Sequence, residues 1–442
     1  MRPGFLAFLG AAAFVLAACG SDWDWFGDPP PPPLPGERIA ILDLEQELSA
    51  DPAIAATAVI LPPPLPTPNW PQNGGLVDKA MLHVDAPGSL QEIWTADIGE
   101  GAGRFRRLIA TPVVANGIVY AMDADADVSA FDASTGKRLW HVDLTPDEED
   151  DGGWGGGLSF YHGRLYVVTG FGEIILLNGE NGEEIWRRAL GPPLRAAPTV
   201  THGRVYVLTS DNELIAMDAD SGATLWTHRG IEEIAGLLGG ASPAISGSAV
   251  VVAYSSGEIY ALQAENGRVI WSDLLAYGPR IGSLAGLNDI NASPTIDSGQ
   301  VFAISHGGRL VAIDLAAGAR LWERDIGGVQ TPWVAGDYLF VVTTDGNVIC
   351  LFRSDGRIRW VTPLPLYEDL EDRDEQIMWS GPLLAGDRLL VVGTAGQAVS
   401  MSPYTGEILG AQNLGQGLPL PPIAAQQTVF LIGETGDLIA LK

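Results

Sequence analysis

A short pattern, Gly-x-x-x-Trp, recurs along most of this chain and limits its fold more than any other feature. The tryptophans of successive copies are 38 to 51 residues apart, the length of a four-stranded propeller blade with variable loops. The six complete copies are Gly136 and Trp140, Gly182 and Trp186, Gly222 and Trp226, Gly267 and Trp271, Gly318 and Trp322, and Gly356 and Trp360. The repeat predicts a β-propeller.

The residue types within one repeat explain why it would form a blade. In the first copy, three short apolar segments precede the turn at Gly136, where a positive φ is readily adopted. Asp132, just before that turn, can hydrogen-bond the turn's backbone. Trp140 then falls on the outer strand, where its ring can cover the neighbouring blade. With 46% hydrophobic residues and 55 glycines, the composition favours many short buried strands.

The two ends of the repeat region indicate how the ring closes. The last residues, 421–442, contain three apolar strands and no fourth, whereas Gln91–Trp94 reads as an outer strand without preceding strands. A seventh copy keeps Gly406 but has Gly410 where Trp is expected. We therefore expect an all-β fold over residues 86–442: an eight-bladed propeller of four-stranded antiparallel blades, closed by the N-terminal strand joining the C-terminal blade.

The N-terminus has the features of an export signal. Met1-Arg2-Pro3 is followed by an apolar run that ends Leu16-Ala17-Ala18-Cys19-Gly20, which resembles the lipobox of bacterial lipoproteins. Residues 1–18 are thus a predicted signal peptide, and Cys19 is the predicted lipid-carrying residue. The alternative is an ordinary secretory signal with an incidental cysteine. Gly20 after the cysteine favours the outer membrane, through an enterobacterial sorting rule.

Residues 19–85 are expected to connect this anchor to the propeller. Five prolines follow Asp28 and more follow Leu61, a composition typical of extended, semi-rigid spacers. Between the proline runs, apolar residues within 37–61 could dock weakly on the propeller or on a partner. Cys350, the only other cysteine, lies in an apolar run and is expected to be a buried, inert thiol.

The chain's charge excludes some classes of partner. A formal net charge of -29 disfavours non-specific binding to nucleic acid or anionic lipid, which need basic surface, and favours basic patches on a partner protein. The only membrane association we expect is through the lipid anchor.

Two resemblances rest on these motifs. Ala130–Trp140 resembles the Ala-x-Asp-x-x-Thr-Gly-x-x-x-Trp repeat of pyrroloquinoline quinone (PQQ) enzymes. With the lipobox, the proline-rich spacer and Asn69–Gly75, the chain after Cys19 resembles the BamB family of outer-membrane protein assembly lipoproteins. This resemblance implies a non-enzymatic propeller without cofactor or metal. It also implies a periplasm-facing scaffold of the β-barrel assembly machinery that binds the POTRA domains of BamA, together with other components of the machinery and unfolded outer-membrane protein precursors.

The same resemblance implies a partner-binding site for BamA. The family's Leu-Arg motif corresponds to Leu194 and Arg195, and its Asp-x-Asp motif corresponds to Asp289 and Asn291. Asn291 stands where the family motif has its second carboxylate. Arg195 can make a bidentate contact with a carboxylate while Leu194 supplies apolar area. The alternative is a solvent-exposed loop arginine.

Other functions share the repeat and need separate consideration. A PQQ- and calcium-dependent periplasmic dehydrogenase would need a vicinal cysteine pair, which a chain with two distant cysteines cannot form. A propeller lipoprotein serving another envelope complex or a polysaccharide is also compatible with the fold. The acidic runs 147–151 and 368–375 lack the residue order of a calcium loop and are expected to be solvated loops, and Trp154 follows the first run. No nucleophile-elbow or phosphate-loop motif occurs, so we predict no catalytic residues.

Overall fold

Strands supply all the regular secondary structure that the computed structural model describes. The described residues are 48–104, 106–146, 154–233, 237–275, 289–369 and 372–442. In these ranges there is no helix long and apolar enough to cross a membrane. The strands form eight four-stranded antiparallel sheets and one two-stranded hairpin.

The first four blades follow one another along the chain. Blade 1 comprises β2 (Val113–Ala115), β3 (Ile118–Met122), β4 (Asp127–Asp132) and β5 (Arg138–Asp143). Blade 2 comprises β6 (Gly156–Tyr161), β7 (Arg164–Thr169), β8 (Glu173–Asn178) and β9 (Glu184–Ala189). Blade 3 comprises β10 (Thr199–Thr201), β11 (Arg204–Leu208), β12 (Glu213–Asp218) and β13 (Thr224–Arg229). Blade 4 comprises β14 (Ala244–Ser246), β15 (Ala249–Ala253), β16 (Glu258–Gln263) and β17 (Val269–Leu274).

The other four blades complete the ring and include one strand from the N-terminal side. Blade 5 comprises β18 (Thr295–Asp297), β19 (Gln300–Ser305), β20 (Arg309–Asp314) and β21 (Arg320–Arg324). Blade 6 comprises β22 (Trp333–Ala335), β23 (Tyr338–Val342), β24 (Asn347–Phe352) and β25 (Ile358–Pro363), and the hairpin β26 (Tyr367–Asp369) and β27 (Asp374–Gln376) follows it. Blade 7 comprises β28 (Trp379–Leu384), β29 (Leu389–Gly393), β30 (Gln397–Met401) and β31 (Ile408–Asn413). Blade 8 comprises β32 (Ile423–Ala425), β33 (Thr428–Gly433), β34 (Asp437–Leu441) and β1 (Glu92–Asp97).

The predicted fold class, an all-β propeller of eight four-stranded antiparallel blades, is confirmed. In blade 8 the outer strand is β1, which pairs antiparallel with β34 in the register Trp94↔Ala440 and Thr95↔Ile439. The N-terminal and C-terminal ends of the repeat region thus share one sheet. The second acidic run, expected as a solvated loop, contributes its described residues to the exposed hairpin of β26 and β27.

The recurring tryptophan and glycine meet across the boundary between blades. Trp271 of blade 4 donates its indole N–H to Leu315 O of blade 5 at 2.7 Å. A Cβ on Gly318, in the same turn of blade 5, would lie 2.5 Å from the Trp271 side chain. The same pairing of a tryptophan with the next blade's glycine occurs at Trp94, Trp140, Trp186, Trp226, Trp322 and Trp360. Each glycine therefore leaves room for the tryptophan of the preceding blade.

Gly410 departs from the pattern at the boundary between blades 7 and 8. Blade 8 has no turn between its third and outer strands, because these are the C-terminal β34 and the N-terminal β1. A tryptophan at position 410 would consequently have no glycine turn to cover. Ring closure explains the one copy that lacks its tryptophan.

The propeller has two faces, which we name by the connections that they carry. The turn face carries the hairpins between the first two strands of each blade and the glycine turns. The loop face carries the connections between the second and third strands and the longer loops between blades.

Residues 49–86, which we call the lead-in segment, pack against the propeller. Asp51 N–H donates to Ile358 O of β25 at 2.9 Å, and the Arg359 guanidinium donates to Thr57 O. Ile54 and Val59 are buried. This part of the lead-in segment covers the outer strand of blade 6.

The lead-in segment then contacts the innermost strands of the ring. Gln72 pairs its side-chain amide with both backbone polar groups of Val200 in β10, at 2.8 and 3.0 Å. Backbone or indole hydrogen bonds join this segment to the first strands of blades 1, 2, 4, 5, 6 and 7, at Val114, Phe160, Ile245, Ile296, Trp333 and Leu384. Gln426 N–H of blade 8 donates to Thr67 O at 2.8 Å. One segment thus touches all eight blades.

Candidate functional site

A polar pocket opens on the loop face where blades 3 and 4 adjoin. It has a volume of about 200 Å³ and is lined by the loops that enter blades 3, 4 and 5 and by the turns within blades 3 and 4. Arg195 and Asp289, which are far apart in the sequence, both line it. The ring geometry therefore brings together one member of each predicted motif.

Leu194 and Arg195 have different environments although they are neighbours. Leu194 is fully buried in the core of blades 2 and 3, and its backbone bonds to Thr169 O at 3.2 Å and Gly156 N at 3.0 Å. The leucine therefore fixes the loop and offers no apolar area to a partner in this conformation. Among the described residues, the buried Nε of Arg195 has no hydrogen-bond partner. An unpaired buried donor is costly, so a ligand carboxylate in the pocket would be stabilised by Arg195.

Asp289 and Asn291 hold the loop that forms one wall of the pocket. Leu237 N–H donates to Asp289 Oδ2 at 2.6 Å, and Asn291 Nδ2 donates to Leu238 O at 2.8 Å. Burial raises the pKa of Asp289, although the Leu237 N–H and the charges of His306 and Arg195 oppose that shift. Asn291 therefore has a positioning role that a neutral amide performs well, since it donates to a carbonyl.

A second group of residues fixes the same loop from the other side. Glu258 accepts hydrogen bonds from Ile231 N–H at 2.7 Å and from the Tyr260 hydroxyl at 2.8 Å. Asn212 donates to Ile231 O at 2.7 Å and accepts from Ser255 N–H at 3.1 Å. These contacts bind the start of the loop to both adjoining blades. Sequence reasoning missed Asn212, which directly precedes β12, and Glu258, the first residue of β16.

The other residues singled out in the sequence are only partly described by the structure. Within the described ranges, no group of three or more His, Cys, Asp or Glu side chains is placed to hold a metal ion. Cys350 is fully buried, and burial raises its thiol pKa. Trp154 is 42% exposed. Residues 1–47, with the predicted signal peptide and Cys19, and the run 147–151 lie outside the described residues.

Comparison with known proteins gives consistent results for repeat and fold. The family model described as "Outer membrane protein assembly factor BamB" matches residues 124–362, and a model of the β-propeller domain of glucose, ethanol and alcohol dehydrogenases matches residues 82–162. Among solved structures, BamB from Moraxella catarrhalis has a TM-score of 0.68 at 19% identity, covering 80% of this chain and 99% of that chain. Quinohemoprotein alcohol dehydrogenase from Comamonas testosteroni has a TM-score of 0.64 at 14% identity, covering 85% and 81%. The class defined by fold and repeat is the eight-bladed propeller built from PQQ-type repeats.

Curated relatives narrow this class to one family. The outer membrane protein assembly factor BamB of Salmonella typhimurium is 30% identical over 303 residues, which cover 67% of this chain and 75% of the relative. BamB of Xanthomonas campestris is 29% identical over 358 residues, which cover 80% and 86%. The chain belongs to the BamB family of outer-membrane protein assembly factors.

Proposed function

We propose that this protein is a non-enzymatic scaffold of the outer-membrane β-barrel assembly machinery that binds the POTRA domains of BamA through the pocket of Arg195 and Asp289. Family membership supports the role in assembly. The observation that carries the choice of surface is the buried Nε of Arg195, which has no hydrogen-bond partner among the described residues and belongs to a residue lining a pocket open on the loop face. A donor in this state favours a carboxylate supplied by a partner.

The charges around the pocket support a contact that uses both a positive and a negative group of this protein. Arg195 offers a cation, while Asp289 and Glu233 place carboxyl groups around the same pocket. A partner surface with one acidic side chain beside basic side chains would satisfy both. The acidic character of the whole chain, with a net charge of -29, would also increase the rate of encounter with a basic surface.

Replacement of Arg195 by Glu tests this surface. Arg195→Glu reverses the charge that faces the pocket, so BamA recovered by pulldown from envelope membranes should fall by about 10-fold or more, as expected when a buried charge pair is broken. Arg268→Glu is the matched control, because Arg268 is exposed on the turn face and has the same charge. Equal recovery with Arg195→Glu and the unsubstituted protein would remove this pocket from the interface. Absence of BamA from the unsubstituted pulldown would reject the proposed function.

The predicted lipid on Cys19 would place the scaffold on the outer membrane facing the periplasm of a Gram-negative bacterium. The sequence before and after Cys19 supports this anchor. Cys19→Ser removes the thiol that carries the lipid, so the protein should no longer incorporate labelled palmitate and should move from the membrane to the soluble periplasmic fraction. Retention of label in Cys19→Ser would disprove the assignment, and Cys350→Ser serves as the control for cysteine loss.

A dehydrogenase activity is the alternative that the shared propeller keeps open. The likeness to quinohemoprotein alcohol dehydrogenase, at 14% identity, shows the fold alone. The chain's two cysteines, Cys19 and Cys350, cannot form a vicinal pair. Purified protein supplied with PQQ, calcium and an electron-accepting dye should therefore show no alcohol oxidation above a heated sample, and clear turnover would favour the enzyme.

A further inference from the structure

The outer strand of each blade presents an open sheet edge, and most of these edges carry charges. Backbone groups on an open edge can pair with another chain, and charged side chains commonly prevent this. Charged residues occur in the outer strands of seven blades, at Glu92 in β1, Arg138 in β5, Arg187 in β9, Arg229 in β13, Asp273 in β17, Arg320 in β21 and Arg359 in β25. Some of these arginines also bridge neighbouring blades, as Arg320 does to Asp273.

One of these edges shows that an outer strand can hold an additional segment. The lead-in segment lies on β25, with Asp51 N–H donating to Ile358 O at 2.9 Å and Arg359 donating to Thr57 O. As a result β25 contains only one exposed residue, Pro363. The chain itself therefore supplies an example of a segment, folded into turns at residues 52–57, that is seated on an outer strand.

β31 of blade 7 differs from all the other outer strands. Its six residues, Ile408 to Asn413, are uncharged, and all six are exposed. Ile408 and Leu409 are 52% and 59% exposed. Gly410 replaces the tryptophan, and a Cβ built there would meet no atom within 4 Å. In the described part of the chain, no backbone hydrogen bond links β31 to anything outside its own blade.

From these observations we propose that β31 is a strand-addition site that accepts an extended, alternately apolar segment of an unfolded β-barrel precursor. The precursor's identity rests on the proposed function above. The bound segment would pair its backbone with the free edge of β31 and place apolar side chains against Ile408 and Leu409.

The chemistry of the edge selects this occupant over others. Strands of membrane barrels alternate apolar and polar residues, so one face of such a segment matches an uncharged edge with exposed aliphatic side chains. A highly charged segment would gain no ion pair from β31 itself. One exposed aliphatic residue directly precedes six of the seven blade-boundary tryptophans, as Leu225 does in β13, so exposed aliphatic residues alone do not distinguish β31. The absence of charge and the exposure of all six residues distinguish β31 from the other outer strands.

A peptide-binding experiment tests the edge directly. The probe is a fluorescein-labelled peptide of about 10 residues with alternating Val and Thr, the length of a membrane β-strand. Binding to the full-length lipidated protein in nanodiscs is followed by fluorescence anisotropy, with empty nanodiscs as the blank. Leu409→Lys places a guarding charge on the edge and should weaken binding by about 10-fold. Leu225→Lys, the equivalent change on β13, should leave binding unchanged.

A backbone-modified probe separates strand pairing from simple apolar contact. The same peptide with N-methyl groups on alternate residues cannot donate along one edge and should bind about 10-fold more weakly. Equal binding of both peptides, equal binding by Leu409→Lys, or no binding by the unsubstituted protein would each overturn the proposal. Leu409→Lys should still recover BamA, and Arg195→Glu should still bind the peptide, so failure here is distinguishable from failure of the scaffold function.

Discussion

A single residue of the lead-in segment, Lys79, shows how strongly position determines chemistry. Its ammonium group is buried among the inner strands, where Nζ donates to Thr199 Oγ1 at 3.2 Å. Burial lowers the pKa of Lys79 to about 7, against the opposing effect of the neighbouring Asp78 carboxylate. A charge this deep is unfavourable, so the folded protein favours the neutral amine near and above that pH.

Lys79 therefore predicts a pH dependence of stability. An unfolded chain holds lysine at its ordinary pKa of 10.5 and so binds more protons than the folded protein between about pH 7 and that value. The free energy of unfolding should rise with pH across this window and be insensitive to Lys79 below it. Denaturant unfolding should show that this contribution to the rise of the unfolding free energy with pH is present in the unsubstituted protein and absent from Lys79→Met. Identical slopes would mean that Lys79 remains charged when folded.

At the residue scale, the sequence predicted which residues lie at the candidate site better than it predicted the surroundings of their side chains. The motif pointed to Leu194 and Arg195 together, yet packing buries the leucine and leaves the arginine's Nε without a hydrogen-bond partner among the described residues. Their side chains face different surroundings because consecutive residues in an extended loop point in opposite directions. Which of the two meets the core depends on the neighbouring blades, which a local motif does not contain.

At the scale of the blade, the glycine turn and the tryptophan form one contact between neighbours. The sequence predicted both residue types and their strands, because turn and strand preferences are local. It also assigned the tryptophan to blade packing. Only the folded ring shows that each tryptophan packs against the glycine of the following blade.

Two glycines with the same φ of +70°, Gly318 and Gly203, allow this contact to be tested. Alanine at Gly203 would meet no atom within 4 Å and should cost about 1 kcal/mol for the left-handed backbone alone. Alanine at Gly318 would also collide with Trp271 and should cost about 1–3 kcal/mol more. Chemical denaturation measures both values, and equal losses would show that the tryptophan moves aside without cost.

At the scale of the whole molecule, the ring is joined in two ways. β1 completes blade 8, and the lead-in segment bonds to the innermost region of every blade. The lead-in segment does not belong to the repeat, so the periodicity of the sequence could not predict its contacts with the blades. Its contacts span up to several hundred residues of sequence, as between His83 and Gly386 at 2.8 Å.

Removal of the lead-in segment should therefore weaken the ring while leaving the blades intact. A chain beginning at Gly88 keeps β1, whereas a chain beginning at Ser49 keeps both connections and serves as the control. The shorter chain should lose at least about 3 kcal/mol, the cost of removing one buried aromatic residue such as Trp70. Hydrogen exchange should accelerate at the amides of Val200, Ile245 and Ile296, which donate to the segment. Unchanged protection there would contradict this role.

The sequence by itself determined the eight-bladed architecture and the strand that completes the last blade, because these follow from local patterns that recur along the chain and from the incomplete repeats at the two ends of the repeat region. Tertiary structure alone decided which loops meet. The pocket of Arg195 and Asp289, the path of residues 49–86 across the inner strands and the uncovered edge of β31 all depend on contacts between distant segments. Such contacts follow from closing the ring, and neither residue preference nor periodicity encodes them.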